Sequence, residues 1–325
     1  MNFSNFTYLL FIYILTFVNS YPLPTISNQS KSFNPPKPSF SNGISNLNNE
    51  EIPDLKRFVT YCASSYCPNS GDWTCGFYCD QIPDTTVIKT ITTEPAKWVK
   101  ILGENATAYA MITRNSKYKE IVVIFRGTFN FGNAVKDIEA TQCPYGFKST
   151  TIPTHFLLGG ALVHLGFYTA FLTFQHQLRD VITESIKQYP DYNLVVTGHS
   201  LGGALASFAA LDLKQSVEGA NPCLYTYGEP RIGNSVFASF MDKTLDTMKR
   251  VVNQADEVPH VPPKVDYEHH EGEIWIANTT ANEAVKCSSN ENKFCSSSVL
   301  LKYWNAIDHR GPYWGIHIDD DGICT

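Results

Sequence analysis

The run Gly198-His199-Ser200-Leu201-Gly202 follows the apolar stretch Asn193-Leu194-Val195-Val196-Thr197 and precedes the small residues Gly203-Ala204-Leu205-Ala206. A G-x-S-x-G sequence in that setting places a serine on a sharp turn from strand to helix. The glycines are needed because a Cβ at either place would collide with the neighbouring strand or helix. Such a turn holds a hydroxyl clear of the backbone, where a base can reach it. The buried-strand pattern before the motif and the helix-forming run through Leu213 after it supply the context that a chance match lacks. The chain must therefore build a sheet in which one strand ends at this elbow, with a helix packed directly behind it.

The rest of the sequence fits that demand. Ile121-Val122-Val123-Ile124-Phe125 is a short, uncharged, β-branched run suited to a central strand covered on both faces. Residues 165–188 read as one long helix ending before Pro190, and Leu194 to Thr197 as the next strand. Leu201 to Leu213 then form a helix and Leu224 to Tyr227 a strand, with Val251-Val252 and Ile274-Trp275-Ile276 as shorter candidates. Strands alternating with helices predict an α/β fold with a mainly parallel central sheet flanked by helices. Ile52, Leu55, Phe58, Val59 and Cys62 recur at helical spacing and mark the first packed element of a single domain over 51–325. Lys56-Arg57 inside that element reads as a charged helix face in preference to a dibasic processing site.

Ahead of the domain, residues 9–18 form an apolar core followed by Asn19-Ser20, too short for a membrane span, so 1–20 read as a signal peptide. Residues 21–50 are rich in Ser, Asn and Pro and bury little, which predicts a propeptide or disordered arm. No other segment approaches ~20 uninterrupted apolar residues, so a secreted product without stable membrane insertion is expected. Nine cysteines fit an oxidising route, and the odd count leaves at least one thiol over. Asn28, Asn105 and Asn278 each begin an N-x-S/T glycosylation acceptor. The formal net charge of −6 without a long basic run argues against nucleic acid and for a neutral or apolar substrate.

A serine hydroxyl is a poor nucleophile at neutral pH, so the elbow requires a histidine base and a carboxylate that orients it. In an α/β-hydrolase these follow the serine in the order acid, then histidine, each at or beyond a strand end. Asp256 follows Arg250-Val251-Val252-Asn253 and precedes Val258-Pro259, with Glu257 as its neighbouring rival. His155 and His164 precede the serine, His176 falls within a helix, His269-His270 lie in an acidic loop, and His260 is too close to Asp256. His309, in a loop with Gly311 and Pro312, and His317, in the strand-like Ile316-His317-Ile318, remain. Acyl transfer also needs donors for a developing oxyanion. The Leu201 N–H is one, and Thr128, after the strand at 121–125, is the candidate for the second. The histidine clusters lack a metal-ligand pattern, so neither a metal nor an organic cofactor is expected.

Collinear motifs extend well beyond the elbow: Ile124-Phe125-Arg126-Gly127-Thr128, Val163-His164-Leu165-Gly166-Phe167, Tyr225-Thr226-Tyr227-Gly228-Glu229-Pro230-Arg231-Ile232-Gly233, Asp256-Glu257-Val258-Pro259-His260, and Asp308-His309 before Tyr313-Trp314-Gly315. Together they resemble the secreted fungal triacylglycerol lipases of the class 3 lipase family across roughly 51–325. The resemblance implies Ser200 as nucleophile, Asp256 as orienting acid, His309 as general base, and Thr128 with Leu201 as the oxyanion hole. It also implies that Cys67 pairs with Cys324, Cys75 with Cys79 and Cys287 with Cys295, while Cys62, Cys143 and Cys223 have no counterparts. A lid is implied at Phe129, Phe131, Val135 and Ile138. Here it lacks the tryptophan often found in the family, and Gly132 loosens its helix. Phe129, Phe131, Val258 and Pro262 are the implied substrate-binding side chains. An insertion after His309 departs from the family pattern. The expected activity is hydrolysis of triacylglycerol esters through an acyl-enzyme at an oil–water interface. The same fold also hosts phospholipases A1, esterases of soluble or feruloyl-type esters, and inactive lipid-binding proteins.

Overall fold

A run of apolar residues without polar alternation needs cover on both faces, and the fold meets that need at the middle of one sheet. The computed structural model describes residues 43–93, 108–128, 140–146, 160–278, 283–318 and 324. In chain order these form β1 (Ile44–Asn46), α1 (Ile52–Ser64), α2 (Phe77–Gln81), β2 (Thr85–Thr93), β3 (Ala108–Asn115), β4 (Glu120–Phe125), β5 (Gln142–Pro144) and β6 (Leu162–His164). There follow α3 (Leu165–Leu172), α4 (Gln175–Gln188), β7 (Asn193–His199), α5 (Leu201–Ser216), β8 (Cys223–Tyr227), α6 (Ser235–Thr244), β9 (Thr247–Asn253), β10 (Glu273–Asn278) and β11 (Glu283–Cys287). The expected signal peptide, most of the 21–50 arm, Asn28, Asn105, His155 and the lid residues Phe129, Phe131, Gly132, Val135 and Ile138 lie outside the described residues.

Nine strands make one sheet in the order β1-β11-β10-β9-β8-β7-β4-β3-β2. The central strands β4, β7, β8, β9 and β10 run parallel. Antiparallel pairs finish both edges. Alternate residues of β4 enter two different cores. Ile121, Val123 and Phe125 pack with α3, α4 and α5, while Val122 and Ile124 pack with Phe58 and Tyr61 of α1 on the other face. Helix α5 is buried from Leu201 to Leu213, and its Gly and Ala residues let its backbone lie close to the sheet. This is the α/β-hydrolase arrangement expected from the sequence.

Three local features depart from the sequence expectation. Residues 44–46, placed in the arm, instead form an edge strand against β11, because Ile44 and Leu47 bury their side chains there. The single helix expected over 165–188 is two. The Thr173 hydroxyl bonds the Ala170 carbonyl at 2.7 Å, and the chain turns at Phe174, whose ring is buried. Residues 85–93, not expected as a strand, form β2; His269 and His270 lie in the expected acidic loop and are buried there, at 3 % and 1 % exposure. Arg57 pairs with Glu120, the first residue of β4, at 2.6 Å and with Asp54 at 2.8 Å, while Lys56 is exposed, so both basic residues belong to the surface of α1. Cys67–Cys324, Cys75–Cys79 and Cys287–Cys295 are disulfides, the pairs the resemblance implies. Cys62, Cys143 and Cys223 take no part in these three disulfides; burial pushes Cys62 up to about 12, opposed by its bond to Thr197. Among the described residues no helix is long and apolar enough to cross a membrane.

Candidate active site

The elbow forms at the C-terminal end of β7, where open parallel sheets place their sites. Ser200 has φ +61 and ψ −130, a left-handed backbone that a side chain adopts at a cost of about 1–2 kcal/mol. The two flanking glycines make room for it. A Cβ on Gly198 would lie 2.1 Å from the Gly202 carbonyl oxygen, and one on Gly202 would lie 2.1 Å from that of Phe125. The turn is held by Ser200 N–H donating to the Tyr227 carbonyl at 2.8 Å. The Ser200 hydroxyl is buried and has no hydrogen-bond partner among the described residues. It stands at the N-terminus of α5, whose positive dipole end favours developing negative charge.

Asp256 lies just beyond β9 and His309 in a 3-10 turn near the C-terminus, yet the two meet. His309 Nδ1 is 2.9 Å from Asp256 Oδ2 and 3.1 Å from Oδ1, with both residues buried. The carboxylate partner assigns the proton to Nδ1 and the lone pair to Nε2. Gly228, at the end of β8 with φ +57, makes this approach possible. A Cβ there would lie 2.7 Å from the His309 ring and 2.8 Å from Asp256 Oδ2. Burial, with the nearby Arg310, pushes His309 down to about 3, so the resting imidazole is neutral and able to take a proton. Burial pushes the Asp256 carboxyl well above its ordinary value, opposed by the N–H of Val258. A carboxylate desolvated in this way is stabilised when its neighbour becomes cationic, which favours proton capture by His309.

The alternatives left open by the sequence occupy different places. Glu257 is only half-buried, while Asp256 holds the histidine. His317 is exposed and offers its carbonyl to the Tyr78 hydroxyl at 2.6 Å. His164 caps α3, its Nδ1 accepting from the Phe167 N–H, and His260 stacks on Trp304 with centroids 4.7 Å apart. Thr128 follows Gly127, which runs beside the serine: a Cβ on Gly127 would lie 3.0 Å from that of Ser200. The Thr128 hydroxyl, like that of Ser200, is buried without a partner among the described residues. Val258 and Pro262 are buried beside the acid turn, with the Pro262 carbonyl accepting from Arg231 Nη1 at 2.8 Å. Asn278 is partly exposed at the end of β10. The one group tight enough to hold a metal among the described residues is Glu273, Cys287 and Cys295, and both sulfurs are in a disulfide.

A model of the class 3 lipases matches residues 122–266. A lipase of Rhizomucor miehei is 34 % identical over 295 residues, covering 88 % of this chain and 74 % of that protein. The chain belongs to the class 3 lipase family. Among solved structures, the lipase of Rhizopus microsporus var. chinensis is similar at TM-score 0.78 and 30 % identity, covering 92 % of this chain and 99 % of that one. A triacylglycerol lipase whose catalytic centre is described as a serine protease triad is similar at TM-score 0.74 and 34 % identity, covering 87 % and 100 %.

Around its Asp256–His309 pair this class 3 lipase carries a brace that the sequence does not announce. His199 Nε2 is 2.8 Å from the His309 carbonyl oxygen, which can only accept, so Nε2 carries the proton. His199 Nδ1 then accepts from the Tyr66 hydroxyl at 2.9 Å. The Tyr313 hydroxyl donates to the same His309 carbonyl at 3.1 Å, and the His199 and His309 rings lie 4.4 Å apart. Burial, then the neighbouring His309, drives His199 well below the ordinary imidazole value, consistent with this neutral tautomer. The histidine turn is also laced to β9. Asn253 donates to the Asp308 carbonyl at 2.8 Å and the Ala255 N–H to the Asp308 carboxylate at 3.1 Å. Gly228 had a usable signal, since it ends a parallel strand beside the elbow strand. Tyr66 had none. Tyr66→Phe should leave the buried Nδ1 of His199 unpaired, costing about 1–3 kcal/mol by denaturant titration and roughly tenfold in kcat at unchanged KM. An unchanged kcat would remove the brace from the catalytic account.

Proposed function

We propose that this lipase hydrolyses the carboxylic esters of triacylglycerols through an acyl-enzyme. Ser200 Oγ attacks the ester carbonyl while His309 Nε2 takes its proton, and Asp256 stabilises the imidazolium. The N–H groups of Leu201 and Thr128 receive the oxyanion, and the Thr128 hydroxyl helps to fix its loop. His309 returns the proton to the departing glycerol oxygen. Water then repeats the cycle on the acyl-enzyme and releases the fatty acid. The observation that carries this reading is the buried, unpartnered Ser200 hydroxyl on a strained elbow, with a histidine base already oriented by Asp256 nearby. Val258 and Pro262, with Phe129 and Phe131 of the lid segment, form the acyl-binding side. Secretion through the leader at 1–20 is part of the same proposal, supported by three disulfides in the chain.

The test is the rate against tributyrin as its concentration passes the solubility limit. A lipase with a lid over 129–138 shows a rise in rate as droplets form. A curve that saturates below the limit and stays flat above it would assign the chain to soluble esters instead.

A further inference from the structure

A second group of buried polar side chains begins one residue beyond the turn that receives the catalytic pair. Glu229 follows Gly228 and is buried together with Ser207, Thr226 and His270. Its Oε1 accepts from the Ser207 hydroxyl on α5 at 2.6 Å, and its Oε2 from the Thr226 hydroxyl on β8 at 2.6 Å. His270 Nε2, from the segment ahead of β10, lies 3.2 Å from the same Oε2. His270 Nδ1 is 2.7 Å from the Glu271 carbonyl oxygen, which can only accept, so Nδ1 carries a proton. Hydroxyl bonds of about 2.5–2.7 Å are those made to an ionised carboxylate. Glu229 is therefore the anion of this group, and the proton between it and His270 stays on Nε2. The imidazolium segment is tied down on both sides. Glu271 N–H donates to the Asp242 carboxylate of α6 at 2.8 Å, and the Gly272 carbonyl accepts from the Arg250 N–H at 2.9 Å.

A buried ion pair is a poor device for stability alone, because desolvating both charges offsets much of their attraction. Its place supplies another use. One carboxylate joins the nucleophile helix α5, the strand β8 and the segment before β10. A Cβ on Gly203 would lie 3.1 Å from that of Glu229, and Gly203 N–H donates to the Ser200 carbonyl at 2.9 Å, so the Glu229 side chain backs the first turn of α5. Its backbone continues directly from Gly228, against which His309 and Asp256 rest. We propose that Glu229, held as a carboxylate by the His270 imidazolium, is a positioning residue that sets the spacing between the Ser200 elbow and the Asp256–His309 pair. It acts through the first turn of α5 and the backbone of Gly228. The proposal rests on the acyl-enzyme reading for the two groups being spaced.

Two measurements on the full-length protein test it. In protein carrying ¹⁵N-histidine, the His270 signals, identified by their loss in His270→Gln, should show both ring nitrogens protonated at neutral pH. In Glu229→Gln, whose amide can donate to Nε2, they should show the neutral Nδ1–H tautomer. The second measurement is the rate at which a soluble serine-directed phosphonate modifies Ser200, taken well below each variant's unfolding temperature. Glu229→Ala should lower the maximal rate about tenfold or more and leave the half-saturating concentration within about twofold, the pattern of a misplaced reacting group. Glu229→Gln should recover most of that loss, because it keeps the shape and the hydrogen bonds. Should Glu229→Ala not fold, Ser207→Ala decides: it removes one bond of the clamp, leaves the ion pair, and should slow the reaction severalfold. A neutral His270 in the parent overturns the proposal. So does Glu229→Ala or Ser207→Ala reacting at the parent rate, or Glu229→Gln reacting no faster than Glu229→Ala. If the phosphonate results hold but triacylglycerol emulsions are not hydrolysed, the substrate reading fails and the clamp stands. If emulsions are hydrolysed and the folded variants react as the parent does, the clamp fails and the activity stands.

Discussion

Ser200→Ala should lower kcat by about 10⁴–10⁶-fold while leaving the fold in place. Alanine keeps the Cβ that the φ of +61 already accommodates, so the elbow gains no new strain. What disappears is the one oxygen placed on the strand-to-helix turn. The substitution also relieves a buried hydroxyl with no partner among the described residues, so stability should hold or rise slightly. Active-site titration with a serine-directed phosphonate, read by intact mass, gives the complementary result: one adduct on the parent and none on the variant. His309→Ala should match the loss, whereas His317→Ala, at an exposed residue, should leave kcat nearly unchanged. A large loss at His317 with a mild one at His309 would reassign the base.

Gly228→Ala should be nearly as damaging although it removes no chemical group. Its Cβ would lie 2.7 Å from the His309 ring and 2.8 Å from Asp256 Oδ2, on a backbone with φ +57. Either the imidazole moves off the carboxylate or the turn after β8 moves away from the pair. A displacement of that size at the reacting group costs about 10²-fold or more in kcat, beyond the 1–2 kcal/mol of backbone strain. Gly219→Ala separates the two effects, since Gly219 has φ +80 but nothing nearer than 4.0 Å to its missing Cβ. It should lose stability by a similar strain and keep kcat. Equal kcat values for the two variants would mean that crowding of the triad is not what Gly228 prevents.

The legible parts of this molecule are those whose cause is local. Gly198 and Gly202 bracket the serine because of collisions within and beside one turn, and those collisions are written in five consecutive residues. The apolar run of β4 announced burial on both faces for the same reason. Asp256 could be found because it closely follows a strand. The brace was hidden because Tyr66 and His199 are 133 residues apart, and nothing near a tyrosine after a helix says which histidine it will meet. Strand β2 escaped because eight of its nine residues are at least partly exposed and five of those nine are threonines, so the apolar alternation was missing. The break between α3 and α4 depends on where the Thr173 hydroxyl finds a carbonyl, which periodicity does not encode.

The Cys67–Cys324 bridge joins residues 257 apart. Its sulfurs come from the segment after the first helix and from Cys324, beyond the histidine turn, so it can close only after both ends of the domain have been made. His309 also arrives late, more than a hundred residues after the elbow it serves. A nascent chain therefore carries the elbow serine before the histidine that pairs with Asp256, and the bridge to Cys324 closes later still. Once closed, a loop of that length restricts the unfolded chain by about 5 kcal/mol in the chain-entropy account, the largest such effect of the three bridges. Order of synthesis thus acts as a timer: the elbow is made first, the Asp256–His309 pair later, and the bridge to Cys324 after both.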